Sequence, residues 1–243
     1  MQNEKSVLLC GATGLVGRHC LRLLSHSPAF GRLVVLTRRS LPQDVLQGVN
    51  VEKLEEHVLP FDELEAQPHL FQVDLILCAL GTTIKEAGSK EGFLQVDFQY
   101  PLSMARLGIQ EGATHFLLVS AVGANARSRF FYSRVKGELE EAVLALSYRS
   151  TTIVRPSLLL GKRDDFRLGE EVAKRLGFLA PARYKPVGAK VVAGALVRAA
   201  EENLPGTRII ESDQIGAQAH GSSAGRTSPD MLSGSAHKEV RHE

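Results

Sequence analysis

A chain of 243 residues with 44% hydrophobic side chains is long enough to bury a full α/β core, which excludes a fibre or a wholly disordered protein. Its 29 basic and 27 acidic side chains leave a formal charge of +2, too weak a field for nucleic acid to be the main partner. The three cysteines, Cys10, Cys20 and Cys78, lie in or beside apolar runs without C-x-x-C spacing, so they read as buried thiols in a reducing, cytosolic compartment, not metal ligands or a disulfide framework.

Residues 1–5 lead directly into a strand without the apolar segment of a signal peptide. No run approaches the roughly eighteen apolar residues of a membrane span, so a soluble cytoplasmic protein with no membrane partner is expected. The apolar run Ser6–Cys10, the turn Gly11–Gly17 and the periodic stretch from Leu15 to Ser25 read as strand, loop and helix. Such a junction offers backbone N–H groups and the positive end of a helix dipole to an anion, and a pyrophosphate suits it best. Gly11 permits the tight turn, Gly14 lets phosphates approach the backbone beside Thr13, Leu15 and Val16, and Gly17 lets helix and strand pack closely. Three glycines at this spacing are also compatible with an ordinary βα turn.

Leu33–Thr37 is a second strand, continuous in apolar residues as parallel strands covered on both faces are. The residue just past it meets the adenosine ribose in a βαβ unit: an acid there accepts from the 2′-hydroxyl of NAD, whereas arginine pairs with the 2′-phosphate of NADP. Arg38 and Arg39 therefore favour NADP (NADPH) over NAD, the alternative being two solvated loop residues. A weak strand follows around His57–Leu59, then a polar helix-like stretch Asp62–Gln67, and Pro60, Phe61 and Asp62 are assigned to the adenine edge.

Val73–Ala79 is the next clear strand, ending in the small turn Leu80, Gly81, Thr82, Thr83, which suits a backbone-lined floor under a cofactor. A helix from Glu91 to Gly112 should restart or kink at Pro101. His115–Ser120 is a strand, residues 130–146 a helix with Val135, Leu139 and Val143 on one stripe, and Thr151–Val154 a strand stopped by Arg155, Pro156 and Ser157. Helices are expected at Phe166–Leu176 and Ala189–Glu202, and a last short strand at Thr207–Ile210. From Gly216 to Glu243 the composition loses any apolar period and reads as a disordered tail, whose histidines His220, His237 and His242 are too widely spaced for a metal clip.

The alternation predicts an α/β, Rossmann-type doubly wound parallel sheet. It forms a single domain over 1–215, with a small C-terminal substrate region near 157–206.

Tyr132 and Lys136 are one helical turn apart, so a phenol and an ammonium share a face. A phenol titrates near 10, and bringing it to about 7 takes roughly 4 kcal/mol of preferential phenolate stabilisation, which a fixed cation and the oxidised nicotinamide supply in part. Ser120 at the neighbouring strand end is placed to hold a substrate oxygen. The Tyr/Lys spacing is common by chance; its order after a glycine turn, arginines and a serine-ended strand points to a hydride-transfer site.

The segments GATGLVG (11–17), LTRR (36–39), CALGTTIKEAGS (78–89), VDFQYP (96–101), VSAVGA (119–124), YSRVKGELE (132–140) and VRPSLLLG (154–161) resemble the short-chain dehydrogenase/reductase superfamily. The likeness is greater to its atypical branch, related to the Tat-interacting protein oxidoreductases, and it covers residues 5 to 212. It implies Tyr132 as the catalytic acid/base, Lys136 as its partner and ribose ligand, and Ser120 as the substrate-orienting hydroxyl. It also implies Leu80 to Thr82 beside the nicotinamide ribose, and Arg155, Pro156 and Ser157 closing the nicotinamide pocket. The expected activity is NADP-favouring hydride transfer on a small carbonyl or alcohol substrate. A cofactor-sensing binding protein and a nucleotide-sugar epimerase or dehydratase are the competing readings, and a homodimer or protein partner is left open.

Overall fold

The structure, a computed structural model, describes residues 4–160 and 181–220, the last three of them by backbone only. Strands β1 (Lys5–Cys10), β2 (Phe30–Thr37), β3 (Leu54–Val58), β4 (Leu75–Cys78), β5 (His115–Val119), β6 (Ser150–Arg155) and β9 (Gly206–Glu211) form one sheet in the order β3-β2-β1-β4-β5-β6-β9. Every pairing is parallel. Two short strands, β7 (Leu159–Leu160) and β8 (Val187–Gly188), pair separately. The order reverses direction between β1 and β4, and a ligand crevice opens at that point in doubly wound sheets.

Alternation along each strand divides the core into two layers. Val7 and Leu9 of β1 and Val35 of β2 face one side, where they meet Cys20, Leu21 and Leu24 of α1 (Gly17–His26), together with Val192 and Leu196 of a long C-terminal helix (Ala189–Glu202). Leu8, Cys10 and Ile76 face the other, against Met104 and Ala105 of Tyr100–Gln110 and Leu139 and Val143 of Phe131–Ala145. The helices are thus α1, α2 (Gln43–Leu46), α3 (Ile84–Ala87), α4 (Lys90–Leu94), α5 (Tyr100–Gln110), α6 (Phe131–Ala145), α7 (Ala189–Glu202) and α8 (Ile215–His220) among the described residues.

Several boundaries differ from the sequence reading. α1 begins at Gly17 instead of Leu15, because Leu15 and Val16 still belong to the loop and pack into the core beneath it. β3 starts three residues early, at Leu54, where the backbone pairs with Leu33 despite the polar side chains Glu55 and Glu56 of an edge strand. The stretch after Pro60 is a 3-10 helix, Phe61–Ala66, anchored by buried Phe61 and Leu64. The restart expected at Pro101 is found: α4 runs into a π turn, Gln95–Gln99, and α5 begins at Tyr100 with Pro101 in its first turn, where a residue with no N–H to donate is accommodated.

The tail reading is corrected at its start. Gly216 lies inside α8, which Ile215, fully buried against the α7 layer, fixes in place. Residues 221–243, including His237 and His242, and the helix expected at Phe166–Leu176 lie outside the described residues.

Candidate functional site

The glycine turn is built so tightly that side chains would destroy it. Gly11 sits at φ +85°, and a Cβ there would meet the Ala79 carbonyl oxygen at 2.5 Å; one on Gly17 would lie 1.9 Å from the Gly11 carbonyl oxygen. Gly14 closes the loop by donating its N–H to that oxygen at 2.9 Å. The N-terminus of α1 has neither a side-chain cap nor an acid in its first turn, so its N–H groups face the loop without an internal anion.

Above the turn lies a cavity of about 460 Å³ lined by Gly11, Thr13, Arg38, Arg39, Phe61 and Leu80, among others. The second-strand arginines thus share one cavity with the glycine turn. Both are exposed, and neither forms a salt bridge among the described residues. The Thr37 hydroxyl accepts from the Arg39 N–H at 3.0 Å and so shapes the bend that carries them.

The Asp62 Oδ1 accepts from the Tyr100 hydroxyl and from Gln95 Nε2, both at 2.9 Å, so the carboxylate ties the 3-10 helix to the α4–α5 segment. Phe61 is the residue lining the cavity, with its ring edge-to-face on Tyr100 at 5.5 Å.

Past β4, the Thr82 N–H donates to Asp97 Oδ2 at 2.8 Å, and Lys136 Nζ stands 2.7 Å from Asp97 Oδ1. Both partners are buried, Asp97 at 0% exposure and Lys136 at 4%. The loop Leu80–Thr82, the π turn and α6 therefore meet at one carboxylate, and Gly81 lies beside it, where a Cβ would stand 3.4 Å from Asp97 Oδ1. Burial lowers the Lys136 ammonium, but Asp97 together with Tyr132 and Cys78 more than offsets it, so the group lies above its ordinary value.

Tyr132 lies one turn before Lys136 on α6, 40% exposed, with its ring against Phe93 at 5.5 Å. The desolvated phenol is pushed above its usual range; Lys136 pulls it down and Asp97 pushes it back up. The expected lowering by lysine is thus offset in this arrangement, because Lys136 already has an anionic partner. Sequence reasoning missed Asp97, although an acid between the apolar Val96 and Phe98 was the available signal.

Ser120 meets a second carboxylate, on α6. It is buried, and its hydroxyl donates to Glu140 Oε1, a carboxylate gripped by Arg155 through Nε at 3.0 Å to the same oxygen and Nη2 to the other. Arg155 also reaches Glu211 at 2.7 Å, which drives its own pKa further upward. The Pro156 carbonyl accepts from Val122 N–H, and Ser157 bridges Ser212 and the Lys185 carbonyl. Ser120 and the segment Arg155–Ser157 are therefore engaged in fastening β5, β6, α6 and β9 together.

No cluster of three His, Cys, Asp or Glu side chains is placed to hold a metal, and no helix is long and apolar enough to cross a membrane, among the described residues. A nicotinamide dinucleotide fits the remaining features: a cradle closed to Cβ atoms, uncapped helix N–H groups, a cavity with two cations, and Lys136 linked through Asp97 to the β4 loop one turn from a phenol.

Comparison with known proteins agrees. The model of the semialdehyde dehydrogenase NAD-binding domain matches residues 6–92. Protein FMP52, mitochondrial, of Candida albicans is 33% identical over 207 residues, covering 83% of this chain and 90% of the relative. Protein HTATIP2 of Rattus norvegicus is 35% identical over 216 residues, covering 87% and 86%. Among solved structures, MoeE5 in complex with UDP-glucose and NAD superposes with TM-score 0.65 at 16% identity over 89% of this chain and 82% of that one. A UDP-N-acetylglucosamine 4-epimerase from Methanobrevibacter ruminantium M1 gives TM-score 0.64 at 14% identity over 86% and 77%. At these identities the structural likeness is one of fold. The relatives overturn the cytoplasmic location expected above, since the FMP52 proteins are named mitochondrial. Buried thiols ask only for a reducing environment, which the cytosol does not monopolise.

Proposed function

The chain belongs to the HTATIP2 and FMP52 branch of the atypical short-chain dehydrogenases/reductases, and from that premise we propose that it is an NADP(H)-dependent oxidoreductase acting on a small carbonyl or alcohol. The backbone of Gly11–Gly17 would hold the pyrophosphate, Arg38 and Arg39 the 2′-phosphate, Phe61 one side of the adenine, and Leu80–Thr82 the nicotinamide-side ribose. When bound, the nicotinamide supplies or accepts the hydride at the carbon that changes oxidation state. Tyr132 Oη gives its proton to the substrate oxygen in reduction and takes it back in oxidation. A phenol held above its usual range is protonated at neutral pH, which suits the reductive direction.

The observation that carries this reading is the approach of Lys136 to the β4 loop: one carboxylate, Asp97, accepts the Thr82 N–H and faces the ammonium one turn from the phenol. The acid/base pair and the cofactor-side wall are thereby parts of one assembly.

A second reading has its own support. The Ser120 hydroxyl is taken up by Glu140 and the Lys136 charge by Asp97, an arrangement that also suits a protein that binds the cofactor as a signal and turns over little. One experiment separates the two. NADPH binding and NADPH oxidation are measured with a panel of aldehydes, ketones and quinones for the wild type and Tyr132→Phe. The oxidoreductase reading expects turnover to fall by about a hundredfold or more in the variant while binding survives. Binding without turnover anywhere on the panel would favour the sensor.

A further inference from the structure

Cations gather at the end of α6 that carries Tyr132. α4 contributes Lys90, and the loop before α6 contributes Arg127 and Arg129; all three are exposed, and none forms a salt bridge among the described residues. Arg134, at the start of the second turn of α6, meets Glu138 only at 3.8 Å. Carboxylates do little to balance them. The first turn of α6 has no acid, and Glu86 accepts from the Thr83 N–H at 3.2 Å as part of the cap of its own short helix. A chain whose formal charge is only +2 thus places four surface cations about one helix end.

Aromatic rings hold two of these charges in place. Lys90 Nζ stands 5.4 Å from the centre of the Phe131 ring, and the Arg134 guanidinium 5.8 Å from it. Phe93 packs against Phe131 at 5.8 Å and against Tyr132 at 5.5 Å, so one ring separates the cation-bearing Phe131 from the phenol. Phe130, 79% exposed, adds an apolar surface beside the same turn. Like charges held around one ring repel each other, and an anion placed among them relieves that repulsion.

We propose that this rim receives an anionic group of the substrate: with the carbonyl at Tyr132, a phosphate or carboxylate farther along the same molecule is met by Lys90, Arg129 and Arg134. The proposal rests on the reading of Tyr132 as the proton donor and deepens it by naming the substrate class, a carbonyl compound with a negatively charged terminus. Guanidinium forks match a phosphate best, so the phosphate terminus should be the stronger of the two. The anionic group forms and breaks no bond; its part is to hold the molecule in place.

The test uses straight-chain aldehydes of four to eight carbons, each ending in methyl, carboxylate or phosphate, with NADPH as reductant. In the wild type, kcat/KM at the best length should be at least about tenfold higher for an anionic terminus than for methyl, and the advantage should shrink as NaCl rises from about 50 to about 500 mM. The double variant Lys90→Gln with Arg129→Gln exchanges exposed side chains that no salt bridge engages. Its own ratio of anionic to neutral kcat/KM should fall by about tenfold, through KM. Turnover that ignores the terminus in the wild type, or a ratio unmoved in the double variant, would overturn the proposal and leave the oxidoreductase reading standing. Calorimetric titration of the matching hydroxyalkyl phosphates into the NADP-saturated protein separates the two in the other direction. Binding that the double variant loses would support the rim even if no aldehyde were turned over, an outcome that removes the oxidoreductase reading alone. No binding of the soluble phosphates, with cosedimentation on phosphatidylserine vesicles that needs Arg129 and Phe130, would overturn the proposal by assigning the rim to a membrane surface.

Discussion

The carbonyl oxygen of Gly11 occupies the space that a side chain on Gly17 would need: a Cβ built there stands 1.9 Å from it. The first turn of α1 and the end of β1 are in backbone contact, with the loop closed by the Gly14 N–H on that same oxygen. Gly17→Ala should therefore lower stability by about 1–3 kcal/mol, the usual cost of overpacking, and weaken NADPH binding by at least about tenfold. Gly14→Ala, whose Cβ would sit 3.2 Å from the Gly11 oxygen, should do much less to stability. Urea unfolding midpoints and a fluorescence titration with NADPH check both, and equal effects at the two positions would contradict the geometry.

Arg38 and Arg39 share a cavity with that turn, and charge-assisted hydrogen bonds from guanidinium to phosphate are worth about 1.5–3 kcal/mol each. Replacing both by alanine should cost NADPH about a hundredfold loss in affinity or more and leave NADH nearly untouched. Parallel titrations with the two cofactors measure this. A preference that survives in the double variant would remove the 2′-phosphate assignment.

Glu140 is the hub of a second, separate network. Its carboxylate accepts from Ser120 and from the Arg155 fork, and it is almost wholly buried. Removing it in Glu140→Ala leaves Arg155 with Glu211 alone and the Ser120 hydroxyl without its acceptor, and should cost about 3 kcal/mol, the lower end for breaking a buried pair. Ser120→Ala should cost only about 1 kcal/mol and leave turnover within a few-fold of wild type, because its hydroxyl proton is already taken up by Glu140. Denaturation and the NADPH assay together check this, and a collapse of turnover in Ser120→Ala at unchanged stability would restore the substrate-orienting role that the sequence suggested.

The parts legible from sequence are those with a local cause. Glycines at 11, 14 and 17 announce a turn because backbone contact leaves no room for Cβ, and the continuous apolar runs of β1, β2 and β4 announce a parallel sheet because both faces are covered. What escaped depends on partners far apart in the chain. Asp97 meets Lys136 only because a π turn rotates it inward, and Glu140 takes up Ser120 only because α6 lies across the end of β5. Asp62 looked like a ligand for adenine by its place after β3, yet Tyr100, distant in sequence, claims it. Residue type and spacing identify groups able to do chemistry; they do not say which of them are already occupied.

His115 offers a test of the fold that involves no cofactor. Its imidazole is buried at the start of β5, with Nε2 at 3.0 Å from the Thr152 hydroxyl. Desolvation brings its pKa down to about 4 from an ordinary value of 6.5, with Lys5 and Arg149 pushing the same way against the Asn203 side chain, which favours the protonated ring. Because the folded value lies below the unfolded one, the unfolded chain takes up a proton first as pH falls. Above pH 6.5 the group costs nothing, and between about 6.5 and 4 it withdraws stability progressively, by about 3 kcal/mol in total. His115→Gln cannot titrate, so whatever it costs at pH 7, it should flatten that part of the curve. Urea midpoints taken from pH 7.5 to 4.5 for both proteins measure the difference in slope, and parallel curves would mean that the imidazole is protonated within the folded protein.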